Sequence, residues 1–354
     1  MTQRDPILGR RKAGAARAST KPTLKTIAKM SGLAVPTVSR ALSDAPDIGA
    51  DTKKLVRRIA TEIGYVPNRA GVRLRTGRTN VISLVLSTEH DMMNHTARLI
   101  SAIAGQFQST QFHMIVTPFF PSDDPMKPIR YIVESASADG IIFNQTQPED
   151  PRVDFLMARG FPFATHGRDI WADQHPYFDY DNIVFGRHGV RRLAARGRRR
   201  LLVVAPPMAQ NYAQNIRDGV MAEAAAQGLS VRILEGATSD SSSDEVRSAV
   251  AAALTTEPAI DGLICSSTAA TMAAVAALES RGRVVADDID VFAKEAIPFL
   301  NLFRPGIIAV REDVARAGEF LARAVMQAVR NPELPPMQGL EVLQDDDTNE
   351  RQDV

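Results

Sequence analysis

Basic side chains are concentrated at the beginning of the chain, where their number and spacing suit the binding of phosphate groups. Residues 1–78 contain 17 lysines and arginines against five aspartates and glutamates, an excess of 12 positive charges. The remaining residues contain 25 basic and 36 acidic side chains, an excess of 11 negative charges. The whole chain has a net charge of only +1, but a basic module of this size predicts a polyanionic partner.

This module has two parts. Residues 1–22 combine basic residues with alanine, glycine, serine and threonine and offer little to bury, which predicts a disordered basic tail. From residue 23 onwards apolar residues recur at helical spacing, which a solvated tail does not require. We therefore expect a folded domain over residues 23–68.

Three short helices are predicted in this domain, over residues 24–31, 35–43 and about 51–63. Thr23 is a suitable N-cap for the first helix, and Gly32 suits the left-handed turn that would end it. Pro36 fits the first turn of the second helix. Two helices joined by a tight turn and packed by a third form a helix-turn-helix, whose second helix enters the major groove of DNA.

These residues resemble a known family. LKTIAKMSGLAVPTVSRALSD at 24–44, followed by GYVPNRAGVRLRTGRT at 64–79, resembles the DNA-binding head and hinge of LacI/GalR-family transcription regulators. The resemblance extends more loosely to about residue 343. It implies a sequence-specific transcriptional regulator that binds double-stranded DNA at a pseudo-palindromic operator.

The resemblance also implies roles for individual residues of the head. Arg40 would read a guanine edge with two hydrogen bonds, while Val35 and Pro36 are apolar and can only contact thymine methyls or exclude other bases. Contacts to DNA phosphates, which position the protein without reading sequence, are expected from Thr23, Thr37, Ser39, Tyr65 and Asn68.

Residues 69–78 match the hinge helix of the family. Leu74 corresponds to the leucine that this helix inserts between base pairs in the minor groove, and Arg69 is among the basic residues beside it. Gly71 departs from the alanine that is usual at its position. Because glycine costs a helix interior about 1 kcal/mol relative to alanine, we expect this hinge to melt easily.

From residue 79 to 343, short apolar runs alternate with helical patterns. Strands are predicted at 81–86, 113–117, 139–143, 161–165, 201–205, 231–234, 261–265, 289–293 and 307–310. Such alternation indicates parallel sheets with helices on both faces, and nine units favour two lobes over a single sheet. The predicted fold is an all-α helix-turn-helix head with a hinge helix, followed by an α/β core of two periplasmic-binding-protein-like lobes that binds the effector and dimerises.

Ligands of such sheets bind at the carboxyl ends of the strands. The loops nominated by this rule include Asn144–Gln145, 165–168 and the segment 176–182, which resembles the inter-lobe segment of the family. The usual polar pattern of the family is replaced here by Cys265-Ser266-Ser267-Thr268 and by Ala293-Lys294-Glu295-Ala296. The predicted effector-binding residues are Arg168, Asp181, Arg217, Ser267, Lys294 and Glu295. For Asp181, capping of the helix that begins near residue 183 is an equal alternative.

Two modes of regulation remain open. The first is a repressor that a small carbohydrate effector releases from its operator. The second is a corepressor-type regulator that responds to a ligand other than a sugar. A sugar-binding transport protein is a third reading, which the DNA-binding head argues against.

Several other classes of function are not supported by the sequence. A single cysteine, Cys265, excludes an intrachain disulfide, and the six histidines lack the local spacing of metal ligands, so no metal is expected. Motifs for nucleotide cofactors and for hydrolytic catalysis are missing, which predicts neither a cofactor nor an enzyme. No apolar run suits a membrane span or a secretory signal, so a cytoplasmic protein is expected.

The last residues bear on assembly. Residues 344–354, QDDDTNERQDV, form an acidic, polar tail without the leucine heptads that tetrameric relatives add at this end. We therefore predict a homodimer, whose two heads would meet the two half-sites of the operator.

Overall fold

The computed structural model of the chain describes residues 21–66, 73, 77–87, 93–120 and 123–343. Its internal contacts divide the chain into two units, residues 1–78 and 79–354. In the described part of the chain, no helix combines the length and the apolar character needed to cross a membrane.

The first unit contains the three predicted helices, α1 Leu24–Ser31, α2 Val35–Leu42 and α3 Ala50–Glu62. Thr23 is the N-cap of α1: its hydroxyl accepts a hydrogen bond from the Thr26 amide, and Thr26 returns one to the Thr23 amide. Gly32 ends α1 with φ +71°, the left-handed conformation that glycine adopts without strain. The buried side chains of the three helices form one small core: Ile27, Val38, Ala41, Val56, Ile59 and Ala60. The predicted helix-turn-helix is confirmed.

The second unit contains two parallel sheets. The six-stranded sheet has the order β11-β5-β4-β3-β1-β2, and the five-stranded sheet has the order β10-β9-β8-β6-β7. The strands of the first are β1 Val81–Ser87, β2 His113–Phe119, β3 Gly140–Asn144, β4 Phe163–His166, β5 Tyr177–Tyr180 and β11 Gln338–Glu341. Those of the second are β6 Arg200–Val204, β7 Ser230–Ile233, β8 Gly262–Cys265, β9 Asp290–Glu295 and β10 Ile308–Arg311. The two sheets confirm the predicted two-lobed α/β architecture.

Helices cover both faces of each sheet, as parallel sheets require. They are α4 Met93–Phe107, α5 Met126–Glu134, α6 Pro151–Ala158, α7 Asn182–Ala195, α8 Asn211–Gln227, α9 Ser243–Thr256, α10 Thr268–Ser280, α11 Leu300–Phe303 and α12 Val314–Arg330. The apolar sides of α4 and α12 pack on one face of the six-stranded sheet, and those of α5 and α6 pack on the other. In the five-stranded lobe, α7 and α8 cover one face while α9 and α10 cover the other.

The path of the chain joins the lobes more than once. It leaves the six-stranded lobe after β5, near Asp181, and returns after β10, near Glu312. The edge strand β11 then pairs with β5, with Gln338 opposite Tyr177 and Glu341 opposite Tyr180. Residues at these crossings therefore lie in segments that connect the two lobes.

Two strands were missed by the sequence prediction, β5 and β11. Each has four residues, and each contains an acidic residue, Asp179 in β5 and Glu341 in β11. Neither strand therefore shows a continuous apolar run, although such runs marked most of the other nine strands. Their pairing with each other, 161 positions apart in the chain, is a long-range contact that no local pattern reports.

Close packing of α7 against α8 leads to a prediction about stability. A Cβ atom on Gly219 of α8 would overlap the carbonyl oxygen of Ile183 in α7, and one on Gly186 of α7 would lie 2.5 Å from that of Ile216 in α8. Because backbone must move to make room, we expect Gly219→Ala to lower the free energy of unfolding by about 1–3 kcal/mol, despite the better helix propensity of alanine. Urea denaturation of the full chain measures this.

The matched control is Gly105→Ala in α4, where a Cβ atom would have no neighbour within 4 Å. This substitution is expected to leave stability unchanged or to raise it by up to about 1 kcal/mol. Equal denaturation midpoints for the two variants would show that the contact between α7 and α8 is not as tight as described.

Candidate nucleic-acid interface and ligand cavity

Helix α2 presents one face to the head core and the other to solvent. Val38 and Ala41 are fully buried, whereas Pro36 and Arg40 are exposed on the opposite side of the helix. The Arg40 guanidinium lies 2.6 Å from a carboxylate oxygen of Asp47, and its side chain is 58% exposed. An arginine of this exposure is free to exchange its carboxylate partner for another acceptor, such as a guanine edge.

The loop after α2 is held by ionic contacts to α3. Asp44, which has φ +59°, accepts hydrogen bonds from Lys53 and Arg57. The hydrogen bond and the charge of Lys53, with the charge of Arg57, lower the pKa of the Asp44 carboxyl below its ordinary value. These contacts tie the end of α2 to α3 and so help to orient α2.

The other residues predicted to contact DNA have different surroundings. Thr23 is engaged in the cap of α1, while Val35, Thr37 and Ser39 are half-buried along α2. Tyr65 packs against the head core, and burial raises the pKa of its hydroxyl. Asn68, Arg69 and Leu74 lie outside the residues that the structure describes.

In the second unit, a cavity opens at the carboxyl ends of both sheets. Its lining comes from both lobes and from the crossings between them: His95, Asn144, Gln145, His166, Gly167, Asp179, Tyr180, Asn182, Tyr212, Ser239, Asp240, Ser266, Ser267, Lys294 and Glu312. Because all strands of each sheet run in parallel, their last residues meet at one edge, which is where ligands of such folds bind. Most of the lining residues have polar side chains, with amides and hydroxyls among a few charged groups.

A buried ion pair joins the two lobes at the base of the cavity. The Lys294 ammonium, at the end of β9, lies 2.7 Å from the Glu312 carboxylate on the crossing after β10, and it donates to the side-chain oxygen of Asn182 at 3.2 Å. It also lies 4.7 Å from the centre of the Tyr180 ring. Burial alone would raise the pKa of Glu312, but Lys294, with a hydrogen bond from His95, holds that pKa well below its ordinary value.

A second ion pair lies beside the first. Arg168 donates from Nε to Asp179 at 2.7 Å, and Asp179 is almost fully buried at the end of β5. Burial raises the pKa of Asp179, and Arg168 opposes this rise. The backbone oxygen of Arg168 accepts from Thr146 at 2.9 Å and from the side-chain amide of Asn211 at 2.8 Å. Since Asn211 begins α8 in the other lobe, these bonds connect the two lobes at one side of the cavity.

The loop between β3 and α6 is held in place by a buried ion pair. Asp150 is fully buried, caps α6 and accepts two hydrogen bonds from the Arg152 guanidinium. Arg152 donates in turn to the backbone oxygens of Asn144 and Gln145. Gln145 has φ +55°, an uncommon conformation for a residue with a side chain, and this network stabilises it beside the cavity.

The six predicted effector-binding residues do not all reach the cavity. Ser267 and Lys294 line it, and Arg168 contacts a lining residue, Asp179. Asp181 accepts a hydrogen bond from the Val184 amide at 3.0 Å, which is the capping role given as the alternative.

Arg217 and Glu295 lie outside the lining. Arg217 is on α8 next to Ile216, which is fully buried, and its own half-exposed side chain pairs with Asp218. Glu295 accepts hydrogen bonds from the amides of Phe299 and Leu300 at 2.9 and 2.8 Å, so its carboxylate caps α11. In both cases the side chain already has a partner that is not part of the lining.

Sequence reasoning had nominated Asn144, Gln145 and the loop containing His166 as strand ends. The segment 176–182, also nominated, supplies Asp179, Tyr180 and Asn182. Five lining residues were missed: His95, Tyr212, Ser239, Asp240 and Glu312. Glu312 follows β10 directly, so correct bounds for β10 would have found it by the rule of strand ends. The other four lie on a helix or in a loop, where the rule gives no signal.

Comparisons with known proteins agree with both units. Residues 23–68 match the family model for bacterial regulatory proteins of the lacI family. Residues 94–333 match the model for periplasmic binding proteins and the sugar binding domain of the LacI family. Together these matches confirm the resemblance that the sequence suggested.

Individual relatives cover most of the chain. The HTH-type transcriptional regulator AglR of Rhizobium meliloti (strain 1021) is 28% identical over 314 residues, 87% of this chain and 88% of the relative. The structure of the complex of the transcriptional regulator CelR with cellobiose is 23% identical, with a TM-score of 0.66 over 91% of this chain and 98% of that one.

A third comparison shows the same fold with a different partner. The lac repressor dimer bound to its operator and the anti-inducer ONPF is 17% identical, with a TM-score of 0.77 over 92% of this chain and 97% of that one. Since the two family models cover the head and most of the core, this chain belongs to the LacI family of bacterial regulatory proteins and is a DNA-binding transcriptional regulator.

Proposed function

We propose that this regulator is a repressor whose affinity for its operator is set by a neutral carbohydrate bound in the cavity. The observation on which this depends is the character of the lining: its hydrogen-bonding groups come from both lobes, and its lysine is already paired. The relative CelR, whose complex with cellobiose has the same fold, supports a sugar as the ligand class.

The lining suits the hydroxyl groups of a sugar. The amides of Asn144 and Gln145 and the hydroxyls of Ser239, Ser266 and Ser267 can each donate or accept a hydrogen bond. Such groups match vicinal hydroxyls, which also donate and accept. Tyr212 adds an aromatic ring to the lining, as is common in carbohydrate sites.

The charges favour a neutral effector over an acidic one. Lys294 is paired with Glu312, and the adjacent Arg168 is paired with Asp179. A sugar phosphate would have to displace one of these carboxylates from its cation, and it would also face the Asp240 carboxylate. Within the described lining, the paired cations therefore disfavour anionic ligands.

For the head, the proposal retains the roles expected from the resemblance. Arg40 reads a base, Val35 and Pro36 contact base edges without donating hydrogen bonds, and Leu74 inserts into the minor groove. Contacts to the DNA backbone are assigned to Thr23, Thr37, Ser39, Tyr65, Asn68 and Arg69. The proposed bounds are residues 23–68 for the head, 69–78 for the hinge, 79–343 for the core, and 1–22 and 344–354 for the tails.

The proposed mechanism has two states. A homodimer binds the operator with its lobes in one arrangement, and the sugar favours a second arrangement because it contacts both lobes at once. Thermodynamic linkage then requires that operator DNA weaken sugar binding by the same factor, about 5–150-fold for a typical coupling of 1–3 kcal/mol. This regulation of transcription places the protein in the cytoplasm and needs no enzymatic step.

A two-step experiment tests the proposal with the full chain. First, an operator is selected from random duplex DNA. Second, neutral disaccharides and sugar phosphates are screened by thermal shift, and each hit is added to the operator complex. We expect a neutral sugar to stabilise the protein, by about 2.7 kcal/mol at 100 times its Kd, and to weaken operator binding.

The matched control compares the substitution of an aspartate in the lining with that of an aspartate outside it. Asp240→Asn in the lining should reduce sugar affinity, whereas Asp218→Asn on the exposed side of α8 should not. Binding of sugar phosphates but not of neutral sugars would refute the effector class. A sugar that tightens operator binding would refute the repressor model in favour of a corepressor.

A further inference from the structure

Two histidines and a glutamate from distant parts of the chain meet at the cavity. His95 comes from α4, His166 from the end of β4 and Glu312 from the crossing after β10, and their ligand atoms lie within 4.8 Å of one another. We propose that these three side chains form a binding site for a divalent zinc-type cation. The proposal concerns a ligand other than the effector and does not rest on the identity of that effector.

The geometry of the three groups suits such an ion. Nε2 of His95 lies 3.5 Å from Oε1 of Glu312, and Nε2 of His166 lies 3.7 Å from the same oxygen. In a tetrahedral zinc site with bonds of about 2.0–2.1 Å, neighbouring ligand atoms are roughly 3.4 Å apart. Nε2 is therefore the atom of each imidazole ring that lies near this carboxylate oxygen.

The chemistry of the donor set points to a transition metal. Two imidazole nitrogens and one carboxylate oxygen are the three protein ligands found in many zinc sites that keep a fourth position open. Imidazole selects zinc and its neighbours over magnesium or calcium, which prefer oxygen ligands. All three side chains line the cavity, so the fourth position is available to water or to a molecule bound there.

The surrounding charges leave the ligand atoms available. Lys294 binds Oε2 of Glu312, the oxygen that the histidines do not contact, so Oε1 remains for the metal. A cation on the outer oxygen of a ligating carboxylate is an outer-shell contact that fixes its orientation.

Because of the position of the site, a bound ion would affect how the two lobes are held together. His95 and His166 belong to the six-stranded lobe, while Glu312 lies on a crossing and is bonded to Lys294 of the five-stranded lobe. An ion at this point would hold both lobes in the described arrangement. Sequence spacing could not reveal the site, because its ligands are 71 and 146 positions apart.

Titration of the metal-free full chain with zinc ions tests the proposal, without sugar or DNA present. We expect one zinc per chain, bound with at least about tenfold lower affinity in each of His95→Gln, His166→Gln and Glu312→Gln. The control is His113→Gln, at the exposed start of β2, which should bind as the unmodified chain does. Cobalt as a second probe should give the visible absorption of a tetrahedral complex in the unmodified chain.

Replacing one metal-binding side chain with another distinguishes the loss of metal binding from the loss of folding. His166→Cys supplies a thiolate in place of an imidazole, so it should retain cobalt binding and add a thiolate-to-metal charge-transfer band. Circular dichroism verifies that each variant is folded. The proposal is overturned if the unmodified chain binds no zinc at micromolar concentrations, or if folded His95→Gln and His166→Gln bind it unchanged. Either result leaves the sugar proposal untouched, because no sugar is used.

Discussion

Replacing Arg40 with alanine is expected to reduce sharply the preference of the protein for its operator over other DNA. The guanidinium is exposed on α2, since Val38 and Ala41 of the same helix are directed into the head core. Loss of one bidentate contact to guanine costs about 1–3 kcal/mol, or roughly 5–150-fold in affinity, and a dimer loses it in both half-sites. Fluorescence anisotropy with operator and scrambled duplexes at one fixed salt concentration measures the effect.

Two further variants make the experiment specific. Arg58→Ala, in an exposed pair with Glu62 on α3, should change binding of both duplexes equally and by less. Asp47→Asn removes the partner of Arg40 in the free protein, and because exposed ion pairs contribute about 0–1 kcal/mol, operator affinity should change less than tenfold. If Arg40→Ala weakened operator and scrambled DNA alike, Arg40 would be a phosphate contact and the base-reading role would be wrong.

Replacing Lys294 with methionine is expected to cause the largest loss of stability in the core. The substitution leaves the Glu312 carboxylate buried without its cation, 2.7 Å from where the ammonium lay. Removal of one partner of a buried ion pair costs about 3–5 kcal/mol, because the remaining charge is neither solvated nor paired. Urea denaturation of the full chain gives the change in the free energy of unfolding.

The double variant Lys294→Met/Glu312→Gln distinguishes this cause from lost packing. With both charges removed, no uncompensated charge remains, so the double variant should be more stable than Lys294→Met alone. Arg217→Met provides the matched control: this cation is half-exposed and paired with Asp218, so its loss should change stability by no more than about 0.5 kcal/mol. A double variant no more stable than the single one would show that packing of the lysine side chain, not its charge, is what matters.

The head could be predicted almost completely from the sequence, because its determinants are local. Thr23 caps α1 through an amide three residues away, and Gly32 supplies a left-handed turn that other residues adopt only with strain. The predicted and observed bounds of the three helices differ by one residue at most. Nine strands of the core were predicted for a similar reason: apolar residues lie close together in each, and most of the nine, such as β1 and β3, are buried.

The cavity could be predicted only in part. The carboxyl ends of parallel strands share one edge, and Ser267 and Lys294, which this rule nominated, line the cavity there. Arg217 and Glu295 were assigned by the same rule, but the tertiary structure gives each a different partner. Whether a nominated residue reaches the cavity depends on the direction in which its side chain leaves its helix or strand. Spacing along the chain does not give this direction.

The sequence by itself therefore determined that a basic helix-turn-helix head precedes a core of parallel sheets, because caps, turns and apolar runs act over a few residues. Only the tertiary structure decided that β11 pairs with β5, and that His95, His166 and Glu312 meet beside Lys294. Apart from the pair of Lys294 with Glu312, which are 18 positions apart, these contacts join residues from about 70 to more than 200 positions apart in the chain. They form because the packing of two lobes brings distant strand ends and crossings to one place, and the buried charges there must find partners.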